Sequence, residues 1–290
     1  MKKKVKIITD CVCDLSNDFL QSQEVDVVRF YLTLDSGRFM DGYEISVSNV
    51  IEHYEDNKTK IVSNVPSPEE YAQIYREQLK TSETVIHYTI SSLISDSYKL
   101  ANEGRDLLGE EASKVYIVNS LTLSSGIAFL ILQACDMRKR GYDAEAIVKA
   151  SQTLISKVNV SFVAKNADYL AINGRVSSLI AKFVRSFRLR PVFYMDNGKL
   201  TVSRFEHGNR EKYIKKYIRR QFKKKDKIDT ERVFITHAAC AKDEVDRIVA
   251  EVRSIIDFKN IHICTTSASV ACNCGAGAVG VIYKYKDSCR

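Results

Sequence analysis

Between Val5 and Lys157 short apolar runs alternate with longer amphipathic segments, a rhythm that restricts this part of the chain to an α/β fold. Strands are expected at 5–9, 26–32, 85–90 and 114–118, and helices at 17–23, about 46–55, 69–80, 95–108, 123–139 and 143–157. The clearest punctuation is Ser67-Pro68-Glu69-Glu70. Ser67 is an N-cap, Pro68 takes the first helical position, where its missing N–H is not needed, and Glu70 stands where its side chain can return a bond to the cap. Such alternation implies a mostly parallel sheet covered by helices on both faces.

From residue 159 the grammar changes. A strand at 160–164 leads to short helices within 168–187, then to strands at 191–195 and 199–205 joined by Asp196-Asn197-Gly198, whose Asn-Gly pair reads as a β-hairpin turn. A basic amphipathic helix follows at about 209–224, with Tyr213, Ile214, Tyr217, Ile218 and Phe222 on one side. Strands at 233–236, 261–265 and 279–285 surround a helix at 242–256, the pattern of an α+β domain on a mixed sheet. With 290 residues, 45% of them hydrophobic, the chain is long enough for two cores, and the change of pattern divides it into domains 1–157 and 158–290.

The longest apolar run, around 127–134, is far short of the roughly 20 residues that span a bilayer and carries helical periodicity, so it reads as a buried helix. The basic start is followed by an apolar stretch interrupted by Lys6 and ended by Asp10; it reads as a first strand, and a cytoplasmic protein is expected. Eight cysteines in a chain of this size are expected as thiols instead of a disulfide frame. The pairs Cys11/Cys13 and Cys272/Cys274 lack the spacing and the nearby histidine of a zinc site, and no metal is expected.

The net charge of +8 is one-sided. Eleven Lys and Arg against three acids lie between Arg204 and Lys227, and five more basic residues with no acid lie between Arg175 and Arg190. Such a face suits an acidic protein partner, a phosphate or an anionic surface, or is a solvated helix face. Its tyrosines fall at core-facing positions and offer no stacking platform, which argues against nucleic acid as the partner.

Open parallel sheets place ligands at the carboxyl ends of their strands. There the chain puts Thr9, Asp10 and Cys11, then Ser91 and Ser92, then Asn119 and Ser120, with Ser63 just before the capped helix. This is a lining of hydroxyls and amides that can receive a carboxylate or phosphate without supplying a base or nucleophile. Catalytic arrangements are poorly supplied: there is no G-x-S-x-G elbow, and none of the histidines (53, 87, 207, 237, 262) is tied by spacing to a serine or cysteine. No catalytic residue is assigned. The glycine-rich stretch 274–280 lacks the lysine of a P-loop and reads as tight turns and close packing.

Seven blocks, in order, resemble the DegV family of fatty-acid-binding proteins: Ile8-Thr9-Asp10-Cys11-Val12-Cys13-Asp14-Leu15, Phe39-Met40-Asp41-Gly42, Ser63-Asn64-Val65-Pro66-Ser67-Pro68, Ile90-Ser91-Ser92 through Tyr98, Asn119-Ser120 with Ser124-Ser125-Gly126, Asp168-Tyr169-Leu170 with Gly174-Arg175-Val176, and Asn273 through Gly280. The resemblance implies an N-terminal Rossmann-like domain, a second α/β domain, and a long-chain fatty acid, of C14–C18 length, between them. It makes Ser63 and Ser92 the carboxylate ligands, with Ser91, Asn273 and Cys274 beside them and Thr9, Asp10, Cys11, Asn119, Ser120 and Gly275 lining the pocket. Asn273 and Cys274 stand where the family has His-Thr, so an amide replaces a group able to carry positive charge.

The resemblance further implies a bacterial lipid-binding subunit, itself not an enzyme and without a cofactor, that presents the acyl group to a separate fatty acid kinase for acyl-phosphate formation and phospholipid synthesis. The partner face would comprise Arg175, Arg185, Arg188, Lys212, Lys215, Lys216 and Arg219. A monomer is expected, not membrane-spanning, with room for a transient membrane contact. The alternative is an enzyme subunit of the dihydroxyacetone-kinase type, handling phosphate through the glycine-rich stretch.

Overall fold

The computed structural model describes residues 3–35, 37–165, 167–174 and 176–286. The chain forms two compact units: Met1–Tyr31, Asn64–Ser156 and Asn197–Lys199 make the first, and Leu32–Ser63, Lys157–Asp196 and Leu200–Arg290 the second.

In the first unit the strands Val25–Val28, Lys3–Asp10, Ser82–Thr89 and Val115–Asn119 lie in that order in a wholly parallel sheet. Successive side chains of a strand face opposite ways, and both directions are occupied. His87 meets Tyr75 of helix Pro68–Thr81, whereas Tyr88 meets Ser151 of helix Ala144–Ile155. Helices therefore cover both faces, which is why Ile7, Ile8, Val85 and Ile86 are all fully buried. The expected capping box is present: Ser67 Oγ accepts from the Glu70 N–H at 3.2 Å, and the Glu70 carboxylate accepts from the Ser67 N–H at 2.7 Å. Helix Ser125–Lys139 is buried continuously from Ser125 to Leu132, as its uniformly apolar sequence requires.

The second unit holds a six-stranded mixed sheet in the order Lys199–Glu206, Arg190–Asp196, Val158–Val163, Val279–Lys284, Arg232–His237, Asn260–Thr265. Arg232–His237 pairs in parallel with Asn260–Thr265 and antiparallel with Val279–Lys284. The hairpin turn has φ 46° at Asn197 and 89° at Gly198, the left-handed pair that a two-residue turn demands. Helix Arg210–Gln221, capped by Asn209, buries the expected face through Tyr213, Ile214, Tyr217 and Ile218.

A single cut at 157 does not describe these units. Leu32, Ile45, Val50, Tyr54 and Ile61 pack with Tyr169, Ala268 and Cys272, and this apolar cluster assigns Leu32–Ser63 to the second unit. The run 26–32, expected as one strand, divides into Val25–Val28 and Tyr31–Leu34, which pair in different sheets. Helix Ala268–Cys274 has no counterpart among the sequence-based expectations. Among the described residues no helix is long and apolar enough to cross a membrane.

Candidate functional site

The first unit brings three strand ends together in register, Thr9 opposite Tyr88 and Thr89 opposite Asn119. The residues that follow these ends form a rim of short polar side chains.

Asp10 does not present its charge outward. Both it and His87 are fully buried. Asp10 Oδ1 lies 3.1 Å from His87 Nε2, while Oδ2 accepts from the Ile90 N–H and the Ser97 hydroxyl, each at 2.8 Å. A second shell completes the network. Tyr75 OH is 2.8 Å from His87 Nδ1, and Tyr71 OH is 2.9 Å from Ser97 Oγ. Burial, then the neighbouring Asp10 charge, pushes both phenols well above their ordinary range. With its lone pairs so occupied, Asp10 serves the backbone that carries Ser91 and Ser92. Sequence reasoning placed Asp10 at the rim, but not this inward role, because its partners lie 77 to 87 residues away.

The two neighbouring serines differ. The Ser91 hydroxyl donates to the Gly198 carbonyl at 2.7 Å. Ser92, half-buried, accepts from Asn119 Nδ2 at 2.7 Å and gives its proton to no acceptor among the described residues. Ser120 Oγ is occupied locally with Thr122, donating to its carbonyl and accepting from its N–H, each at 3.2 Å. Thr9 Oγ1 bonds to backbone carbonyls, and Cys11 Sγ accepts from the Phe30 N–H at 3.3 Å. Thr122 Oγ1 is buried without a hydrogen-bond partner, an unspent group at the same rim.

In the second unit Ser63 sits half-buried in the short strand Val62–Asn64. Asn273, Cys274 and Gly275 end the helix that the sequence did not announce. Its start is held by the buried Asp41 carboxylate, which accepts from the N–H groups of Ala268 and Ser269 at 3.0 and 2.9 Å, a favourable placement for negative charge at a helix N-terminus. The Asn273 amide donates back to the Ser269 carbonyl at 3.0 Å, and Cys274 is buried. The buried hydroxyls of Thr266 and Ser269 have no hydrogen-bond partner. The glycines beyond are used in packing: a Cβ on Gly275 would strike the Tyr169 ring, one on Gly277 the Arg210 guanidinium, and Gly280 lies inside a strand. None is arranged as a free phosphate loop.

The basic residues divide into paired and unpaired. Lys215 pairs with Glu211 at 2.8 Å, Arg219 with Glu251 at 2.6 Å and Arg220 with Glu206 at 2.7 Å, whereas Lys212 and Lys216 are exposed. Helix Ser178–Ser186 exposes Leu179 and Phe183, with Phe187 just beyond it; Arg185 pairs with Asp168 and, with Arg188 and Arg190, lines a cavity of about 460 Å³. Arg175 lies outside the described residues.

A family profile described as "Uncharacterised protein, DegV family" matches residues 4–286. A DegV domain-containing protein of Streptococcus pyogenes serotype M1 is 27% identical over 285 residues, covering 97% of this chain and 99% of its own. Among solved structures, a fatty-acid-binding DegV family protein from Thermus thermophilus superposes with a TM-score of 0.87 at 22% identity, over 98% of this chain and 100% of the other. The fatty acid kinase B3 protein of Streptococcus pneumoniae, loaded with linoleic acid, gives 0.83 at 19% identity, over 98% and 100%.

Proposed function

The chain belongs to the DegV family, and from that premise we propose that it binds a long-chain fatty acid and presents it to a separate fatty acid kinase. The observation that carries this reading is the polarity of the rim. Its buried acid is turned inward and saturated by donors, while the half-buried Ser92 keeps a hydroxyl proton to give. Such a rim suits an anionic head group. Ser63 and Ser92 are the proposed carboxylate ligands, and Thr122, at the same rim as Ser92, keeps a hydroxyl without a hydrogen-bond partner.

Protein purified from a bacterial host is expected to carry a C14–C18 fatty acid near one per chain, since each buried methylene contributes about 0.8 kcal/mol before ordering costs. Mass spectrometry of the extracted lipid checks this. Ser63→Ala and Ser92→Ala are each expected to weaken retention by about 1–3 kcal/mol, the cost of one hydrogen bond to a charged group. Full retention of lipid by the double variant would reject the proposed ligands.

Kinase docking is assigned to the basic face. Lys212→Glu/Lys216→Glu is the sharper charge reversal, because Lys215 and Arg219 are engaged with Glu211 and Glu251. Phosphorylation of the bound lipid by a fatty acid kinase is expected to slow, with a weaker response to salt, at unchanged lipid content. Equal rates for the two proteins at low and high salt would leave this face without that role.

A further inference from the structure

The buried hydroxyls beside the strand ends of the first unit are spent on the chain itself, with one exception. Thr9 and Thr89 bond to backbone carbonyls, Ser91 donates to the Gly198 carbonyl, Ser97 to Asp10 and Ser120 to the Thr122 carbonyl. Thr122 differs. Only 5% of it is exposed, and its Oγ1 is buried without a hydrogen-bond partner among the described residues. A valine would fill the same space without leaving a polar atom unpaired, so the hydroxyl points to a partner from outside the chain.

The position of Thr122 selects that partner. Its N–H donates to Ser120 Oγ at 3.2 Å, and its carbonyl accepts the Ser120 hydroxyl at 3.2 Å and the Ser91 N–H at 2.9 Å. Its main chain is thus bonded to the residue that precedes Ser92, just past the carboxyl end of a parallel strand, where such sheets receive ligands. We propose that Thr122 is a further ligand-binding residue, giving its proton to the carboxylate of the fatty acid directly or through one water; this rests on the fatty-acid reading above. Ser92 has one proton, whereas a carboxylate has two oxygens to satisfy. Branching at Cβ restricts a threonine to few rotamers, so the hydroxyl is set before the ligand arrives.

The hydroxyl has a different worth in the two states. Without lipid it is an unpaired buried group, and Thr122→Val is expected to unfold within about 2 °C of the parent or above it. With lipid the same substitution removes a hydrogen bond to a charged group, and palmitate is expected to bind about five- to a hundredfold more weakly. Thr122→Ser keeps the hydroxyl and should hold palmitate within about threefold of the parent.

The measurements are the palmitate Kd and thermal unfolding of parent and variant proteins stripped of lipid on a hydrophobic resin. A change in Kd below about threefold for Thr122→Val overturns the inference, as does an equal loss for Thr122→Ser. So does a lipid-free Thr122→Val protein that melts more than about 2 °C below the parent, since the hydroxyl would then be structural. Ser92→Ala in the same assays separates the two ideas. If it weakens palmitate binding while Thr122→Val does not, Thr122 is only a buried hydroxyl; if it has no effect, the fatty-acid reading of Ser92 fails first.

Discussion

Asp10→Ala is expected to lower the free energy of unfolding by about 3–5 kcal/mol, because it leaves several buried donors without their acceptor. The substitution deletes an acceptor that serves the Ile90 N–H, the Ser97 hydroxyl and His87, all within hydrogen-bond distance in a fully buried setting. Each orphaned donor costs about 1–3 kcal/mol. Relief from desolvating the carboxylate itself offsets part of the sum. Asp10→Asn keeps the shape but puts an N–H₂ among donors, and should fall between the parent and the alanine variant. Urea unfolding followed by circular dichroism reads the order directly. A loss below about 1 kcal/mol for Asp10→Ala would mean that the network contributes little beyond its geometry.

Gly275→Ala is the second large effect, with an expected loss of about 2–5 kcal/mol from backbone strain and overpacking together. Gly275 has φ 78° and ψ 166°, a region essentially reserved for glycine. A Cβ there would lie 2.3 Å from Tyr169 Cδ2. The ring has little room to retreat. It stacks on Tyr54 with centroids 3.8 Å apart, and its hydroxyl donates to Glu55 at 3.1 Å. Gly141→Ala provides the control, since Gly141 also has a positive φ, 84°, but nothing stands within 4 Å of the added carbon. Thermal unfolding of the two variants separates strain from collision. Equal losses would show that the Tyr169 contact adds nothing.

How much of this was legible in the sequence depended on the range of the interaction. Capping and turn signals act over three or four residues, so Ser67 with Glu70 and Asn197-Gly198 did in the structure what their spacing predicts. The apolar run 26–32 announced β-structure correctly, but pairing partners are a tertiary property, and the run serves two sheets. The helix Ala268–Cys274 was hidden for a related reason. It is only seven residues long, and the carboxylate that steadies its start is Asp41, 227 residues away from Ala268. The rim residues were legible as a class from their place after the strands; which of them still had a proton to give required the partners of each hydroxyl to be known. The basic face was legible as charge, whereas its internal neutralisation by Glu206, Glu211 and Glu251 was not.

The segment Leu32–Ser63 also has a consequence for biosynthesis. The first unit has its last long stretch of chain, Asn64–Ser156, well before the final strands of the second unit are made. Leu32, Ile45, Val50 and Ile61 emerge even earlier, yet the side chains that bury them include Tyr169, Ala268 and Cys272. During synthesis this segment, which holds strand Gly37–Met40 and helix Val47–Asn57, is made before the side chains that complete its cluster, while the parallel sheet on either side of it in sequence already has its strands. Vectorial folding therefore exposes one defined interval of the nascent chain to chaperones and proteases, and that interval ends only when residues 268–272 arrive.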